Sequence, residues 1–247
     1  MLLAVDIGNS NIKFGIFDSE QLLSKFSIPT HDELTTDSLK PLLGGDVSIS
    51  NAIICSVVPD ADASMREFLI SVGVRQPLFV ENDFDFGLKI DYDPITAIGT
   101  DRLVNSFASM EKYGAPCIVC SFGTATTIDV VNENRELFGG IIAPGMKTMA
   151  KAIHFNTALL PDVEIEKPES VIGNSTIASI RSGIFYGSIA LAEGLIVRMK
   201  KEHGNNTKVI ATGGFAPIIA QNTSQIDFLD NDLTLEGLSK LYRRLIR

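Results

Sequence analysis

Ala4-Val5-Asp6-Ile7-Gly8-Asn9-Ser10-Asn11-Ile12-Lys13 decides the reading of this chain, because its pattern returns as Val119-Cys120-Ser121-Phe122-Gly123-Thr124-Ala125-Thr126-Thr127. In both copies a β-branched run ends in a small polar residue, Asp6 or Ser121. One spacer follows, then Gly8 or Gly123, hydroxyl or amide side chains, and a second apolar run. The pattern predicts a strand, a tight glycine turn and a second strand. A glycine at such a bend lets the backbone approach an anion closely, and the surrounding amides and hydroxyls can cradle a phosphate. Two such turns from two related halves predict a clamp with a cleft between domains. Since 115 positions separate Gly8 from Gly123 in a chain of 247 residues, two domains are expected, 1–114 and 115–247.

Outward from the motif, strands are predicted at 2–7, 12–17, 22–28, 51–57 and 77–81, and helices at 35–43, 60–72 and 101–113. The second half repeats this order with strands at 117–121, 126–131, 137–142 and 208–211. Its helices are expected at 147–154, 175–203 (with glycine interruptions) and 234–246. Alternating strands and helices imply an α/β fold, a mainly parallel sheet covered on both sides and opened by hairpins at its edge.

Composition is that of a globular chain, 45% hydrophobic and 21% charged. A net charge of −9 argues against nucleic acid as a partner, because no Lys/Arg cluster is available to displace counterions from phosphates. The basic run Arg243-Arg244 to Arg247 is read as complementing the negative end of a C-terminal helix. No run of apolar residues reaches the roughly 18 needed to cross a bilayer, and no charged-then-apolar signal pattern precedes the first strand, so no membrane partner and a cytoplasmic location are expected. Cys55, Cys117 and Cys120 lie in or beside apolar strand segments, as buried thiols do; Cys117 and Cys120 form a C-x-x-C without the second pair or histidine of a zinc site. His31, His154 and His203 are scattered and have no ligand-spaced carboxylate or cysteine, so surface or loop roles are expected.

Asp6, at a strand end beside a glycine turn, suits a magnesium ion on transferring phosphates, directly or through water, because hard cations take oxygen ligands. Lys13 can neutralise the outer phosphates; an Asx-turn aspartate and a solvated edge-strand lysine are the plainer reading. Asp101 opens a helix, where an aspartate commonly caps free amides, yet it follows Gly99 on a tight turn and precedes Arg102, at a helix N-terminus that favours anionic substrates.

The duplicated strand, turn and strand resembles the phosphate loops of the actin-like ATPase superfamily, whose ribonuclease H-like domains come in pairs and which holds sugar kinases and chaperone ATPases. The order of Asp6-Ile7-Gly8-Asn9-Ser10 with Lys13, Gly99-Thr100-Asp101-Arg102, Phe122-Gly123-Thr124-Ala125-Thr126-Thr127, Gly139-Gly140-Ile141-Ile142-Ala143-Pro144-Gly145, Thr212-Gly213-Gly214 and Leu233-Thr234-Leu235-Glu236-Gly237-Leu238 narrows this. Together these motifs resemble type III pantothenate kinase, from residue 2 to residue 246.

The resemblance implies an ATP-dependent transferase that phosphorylates pantothenate to 4′-phosphopantothenate, the first step of coenzyme A biosynthesis. It puts the general base at Asp101, pantothenate against Tyr92, Gly99, Thr100, Arg102 and Thr176, and the nucleotide against Asp6, Gly8, Asn9, Ser10, Lys13, Gly123, Thr124, Gly213 and Gly214. In a loose phosphoryl-transfer transition state a carboxylate of ordinary pKa suffices, so positioning should dominate over basicity. Tyr92 can equally be a surface turn aromatic, and Thr176 can simply cap the helix that begins near it.

One departure concerns Ser121. The family carries an aspartate there that helps hold a monovalent cation, potassium or ammonium, and a neutral hydroxyl offers two lone pairs in place of a full charge. Weakened or absent potassium activation is therefore expected. Asp129 lies on the following strand, and the sequence leaves open whether it reaches the ion. Gly183, Gly187 and Gly194 let another helix approach closely, and since family members are homodimers, a homodimer is expected. Two rival functions stand beside this one: a non-catalytic regulatory paralogue, which Ser121 invites, and a kinase of the same fold acting on another hydroxyl or carboxylate substrate.

Overall fold

The computed structural model describes residues 1–32, 39–43, 48–204 and 206–246. It divides into two units, Met1–Lys112 with Asp232–Arg247, and Tyr113–Asn231. The sequence division at 114/115 put the terminal helix in the second half; in the structure that helix clusters with the first unit.

In the first unit, β1 (Leu2–Ile7), β2 (Asn11–Asp18) and β3 (Gln21–Pro29) follow one another through turns too short for a crossover, and so must pair antiparallel. β4 (Asn51–Ser56) then joins β1 in parallel, and β5 (Leu78–Phe79) joins β4 in parallel, giving the order β3-β2-β1-β4-β5. The helix α1 (Pro59–Ser71) lies between them, started by Pro59, whose missing N–H costs nothing in a first turn. Met65, Phe68 and Leu69 of α1 pack with Leu3, Val5, Ile7, Phe14 and Ile54 in one apolar cluster. The predicted helix at 35–43 falls mostly outside the described residues; Lys40–Leu43 forms a short 3₁₀ turn.

After the short β6 (Lys89–Ile90) comes α2 (Thr100–Tyr113). The C-terminal helix of the chain contacts β1, β2 and β4. A methyl group on its Gly237 would lie 2.7 Å from the Ala108 side chain of α2, so the two helices cross closely, and the Thr234 hydroxyl donates to Asn105 Oδ1 at 2.8 Å in the same contact.

The second unit repeats the order. β7 (Cys117–Phe122), β8 (Ala125–Val131) and β9 (Glu136–Pro144) pair antiparallel. β10 (Lys208–Thr212) lies parallel to β7, and β11 (Phe228–Leu229) parallel to β10, so the strands run β11-β10-β7-β8-β9. In each unit two of these pairings are antiparallel and two parallel, rather than mainly parallel. The helices are α3 (Met146–Phe155), α4 (Thr176–His203) and the five-residue α5 (Ala216–Ala220); α6 (Leu233–Leu245) is the terminal helix described above. Ile118, Cys120, Phe122 and Ile128 on the sheet pack against Met146, Ile184, Ile196 and Ile219.

Two further expectations change. The glycines do not interrupt α4, which is continuous over 28 residues and is long and apolar enough to cross a bilayer by length and composition. Ile180, Ile184, Ala192, Ile196 and Met199 are nevertheless buried in the core of the second unit. The basic residues Arg243 and Arg244 stand in the last turn of α6, as expected for its negative end, and make tertiary contacts as well. Arg243 pairs with Glu20 at 3.1 Å and donates to the Ser19 carbonyl, and Arg244 pairs with Asp85 at 2.8 Å; residue 247 lies outside the described residues.

All three cysteines are free and buried, as expected. Burial raises the thiol pKa of each, that of Cys117 to about 12. Leu160 and Phe138 are the neighbours of His154 and His203, the first through its carbonyl at 2.9 Å and the second by ring stacking at 5.4 Å.

Candidate functional site

The first glycine turn is closed by the Gly8 N–H, which donates to the Asn11 carbonyl at 3.1 Å. Asp6 and Lys13 stand opposite each other on β1 and β2, with Lys13 Nζ 3.7 Å from Asp6 Oδ2. The Asp6 side chain is 13% exposed, and this burial pushes its pKa up to about 6 against the pull of Lys13; the charge of Asp101 adds to the rise. The turn's Asn9 and Ser10 are exposed.

The second element begins where Gly99 leads into α2. The Gly99 carbonyl accepts the N–H groups of Arg102 at 3.1 Å and Leu103 at 3.3 Å, making Thr100 and Asp101 the first residues of the helix. A methyl at Gly99 would lie 2.4 Å from Asp101 Oδ1, so glycine leaves the space into which that carboxylate folds. Burial raises the Asp101 pKa, offset by the Arg102 N–H and the Arg102 charge.

The start of α2 is tied to the sheet by Thr100, whose hydroxyl donates to the Ser56 carbonyl at 3.1 Å and lies 3.4 Å from Cys55 Sγ. Cys55 and Ser56 pair with Asp6 and Ile7 across β4 and β1. The same hydrogen-bond register therefore brings Asp101 into the electrostatic reach of Asp6.

Arg102 is 4% exposed; its guanidinium donates to the Tyr92 hydroxyl at 3.4 Å and lies 5.4 Å from the centre of that ring. Asn82 donates to the carbonyls of Ile95 at 3.1 Å and Ile98 at 2.6 Å, holding the loop that delivers Gly99. Neither Asn82 nor Ser56 belongs to a motif; the Asn82 amide reaches distant backbone and the Ser56 carbonyl accepts a distant hydroxyl, so no local signal marks them. The first unit thus gathers Asp6, Lys13, Tyr92 and Gly99 to Arg102. Of these, Thr100 turns its hydroxyl toward the protein rather than outward.

In the second unit, Ser121 is the next-to-last residue of β7 and stands opposite Thr127, and the Gly123 N–H donates to the Ala125 carbonyl at 3.0 Å. Gly213, with φ +97°, sits so close to this turn that a methyl there would lie 2.6 Å from the Phe122 carbonyl oxygen. The Phe215 N–H donates to that same oxygen at 3.0 Å. Gly213 therefore supports the turn, while a side chain at Gly214 would meet open space. Asp129 is 1% exposed and lies two residues beyond Thr127 along β8, paired with Val119 and Gly140.

Thr176 is the first residue of α4, but the cap is Ser175, whose hydroxyl oxygen accepts the Ala178 N–H at 3.2 Å. Among the described residues no group of three or more His, Cys, Asp or Glu side chains is placed to hold a metal ion.

The family model for type III pantothenate kinase matches residues 2–198. A type III pantothenate kinase of Agathobacter rectalis is 41% identical over 99% of this chain and 97% of its own length. One from Acidiphilium cryptum is 43% identical over 99% of this chain and 95% of its own. The solved structure of the activator of 2-hydroxyisocaproyl-CoA dehydratase from Clostridium difficile covers 98% of this chain with a TM-score of 0.53 at 12% identity, a likeness of fold alone. The strand, glycine turn and strand of each unit and the Gly99 to Arg102 turn thus stand in a chain related along nearly its whole length to enzymes of one kind: it belongs to the type III pantothenate kinase family.

Proposed function

We propose that this chain transfers the γ-phosphoryl group of ATP to the primary hydroxyl of pantothenate, giving ADP and 4′-phosphopantothenate, the first step of coenzyme A biosynthesis. The observation that carries this reading is Asp101, a partly buried carboxylate of raised pKa on a turn fastened to β4 beside Asp6. Asp101 accepts a hydrogen bond from the pantothenate hydroxyl and aims its oxygen. As the new O–P bond forms and the bond from the γ-phosphorus to the bridging oxygen of ADP breaks, the hydroxyl proton passes to the carboxylate.

Arg102, oriented by Tyr92, supplies the fixed fork of donors that suits the carboxylate of pantothenate, and Gly99, the backbone of Thr100 and Thr176 complete that substrate's surroundings. The turn at Gly8, Asn9 and Ser10, with Lys13, and the turn at Gly123 and Thr124, with Gly213 and Gly214, hold the nucleotide. Asp6 fits a magnesium ion, directly or through water, because its buried charge, raised in pKa, gains from a nearby cation; the ion supplies neutralisation of the transferring phosphates. Three buried free thiols agree with a reducing, cytoplasmic setting.

Ser121 carries no charge for a monovalent cation, so potassium activation is weakened or absent. ADP release measured with and without pantothenate, over a range of potassium at fixed ionic strength, tests both statements. Release should require pantothenate and vary by less than about twofold with potassium, since a hydroxyl dipole is a weak cation anchor. ADP formation indifferent to pantothenate contradicts the reaction, and a steep saturable rise with potassium contradicts the role of Ser121.

The protein acts as a homodimer through the outer face of α4. Gly183, Gly187 and Gly194 face open space among the described residues, and Val197, one turn on from Gly194, is 51% exposed, which leaves a close-approach face on this helix. Light scattering at micromolar concentration should give a mass near twice 26.7 kDa. A monomer mass refutes the dimer.

A further inference from the structure

The two glycine turns share a brace that neither motif contains. In the first unit, β3 ends at Pro29, and the next residue, Thr30, turns back onto the turn: its N–H donates to the Ser10 carbonyl at 3.1 Å and its hydroxyl to the Gly8 carbonyl at 2.6 Å. In the second unit, β9 ends at Pro144, and the next N–H, that of Gly145, donates to the Thr124 carbonyl at 3.0 Å. The Thr148 hydroxyl, from the first turn of α3, donates to the same carbonyl at 2.6 Å. The registers match as well, for Asn11 faces Pro29 and Ala125 faces Pro144. The chain that follows the third strand of each unit thus delivers one N–H and one threonine hydroxyl to the carbonyls of the turn formed by the first two.

Such carbonyls matter to an anion. A peptide unit is planar and trans, so a carbonyl held on one side sends the following N–H to the other. If the Gly8 or Thr124 peptide rotated, its carbonyl oxygen would face the phosphate and repel it; fixed as found, the next N–H is offered instead. We propose that Thr30 and Thr148 are paired positioning residues for nucleotide phosphate binding, each locking the peptide orientation of one turn without touching the nucleotide. This rests on the reading of the chain as an ATP-dependent kinase.

The test uses the full chain and measures ATP binding calorimetrically without pantothenate, steady-state KM for ATP and for pantothenate, and melting temperature. The variants are Thr30→Val, Thr148→Val, Thr30→Ser and Thr148→Ser. The control is Thr157→Val, which removes another threonine hydroxyl-to-carbonyl bond, to Ile153 at 2.8 Å, beyond the end of α3. Each valine variant at 30 or 148 should weaken ATP binding about tenfold, the scale of one lost hydrogen bond. KM for pantothenate should stay within about twofold, since the turns act on the nucleotide. Serine should restore wild-type affinity, and Thr157→Val should leave it unchanged.

The proposal is overturned if both valine variants bind ATP as the wild type does, if serine fails to restore binding, or if Thr157→Val weakens it as much. Should one valine variant fold poorly, as its melting temperature would show, the other carries the comparison. A wild-type chain that binds no ATP would instead overturn the kinase reading, and the brace with it.

Discussion

Asp101→Asn should lower kcat by about 10³-fold, within the range that positioned general bases supply. Asparagine keeps the shape of the side chain and the position that Thr100 and Gly99 give it, but it cannot accept the proton as the new O–P bond forms. KM for ATP should change by no more than about threefold, because Asp101 acts on the attacking hydroxyl and not on the phosphates. The protein should be no less stable. Burial raises the Asp101 pKa, so its folded state favours the proton; the ionised form at neutral pH costs stability, and asparagine removes that cost.

The same sign governs pH. Asp6, with a pKa of about 6 against an ordinary 3.8, contributes stability at low pH that is lost as pH rises between those two values. Catalysis runs the other way, since it needs Asp101 ionised. The wild-type kcat/KM should therefore fall on acidification at a pH above the ordinary carboxylate range, and the residual activity of Asp101→Asn should lose the part of this limb that belongs to the base. Activity of Asp101→Asn close to wild type, with an unchanged acid limb, would refute the assignment.

Gly145→Ala should weaken ATP binding by about 10²-fold while leaving the protein folded, since a displacement of about 1 Å can cost that much. Gly145 has φ −75°, which alanine adopts without strain, so the backbone itself does not demand glycine. The contact does: a methyl there would lie 2.1 Å from the Gly123 carbonyl oxygen and 2.7 Å from that of Thr124. The second turn must then move away from α3, breaking the Gly145 N–H to Thr124 bond and dragging the Thr148 bond with it. Calorimetric ATP affinity and thermal melting measured together check this: lost affinity with a cooperative transition is expected, and wild-type affinity would show that the turn does not hold the nucleotide.

Much of this architecture was legible in the sequence because its signals are local. The apolar run Leu2 to Ile7 and the Gly8 turn predict β1 and β2 almost to the residue, and the same holds for β7 and β8 around Gly123. The two-residue strands β6 and β11 and the five-residue helix α5 are too short to show a period, and tertiary contacts alone make them regular. The terminal helix was found, but which sheet it covers depends on Gly15 and Gly237 opening space for Leu235 and α2, which order along the chain does not reveal.

The site divides in the same way. Asp6, Lys13 and the Gly99 to Arg102 turn are visible because glycine and charge adjoin in sequence. Ser56, Asn82, Thr30 and Thr148 are not, because each is joined by a side-chain-to-backbone hydrogen bond to a residue 13 to 44 positions away, and a threonine after a strand is ordinary in any fold. Thr100, named as a substrate contact from its neighbours, instead spends its hydroxyl on the Ser56 carbonyl.

The most direct measurement is a crystal structure of the full chain with a non-hydrolysable ATP analogue and pantothenate bound together. The pantothenate primary hydroxyl should lie within hydrogen-bonding distance of the Asp101 carboxylate and face the γ-phosphorus. The phosphates should contact backbone N–H groups of both the Gly8 and Gly123 turns. A nucleotide that leaves either turn untouched, or a hydroxyl directed away from Asp101, would contradict the account.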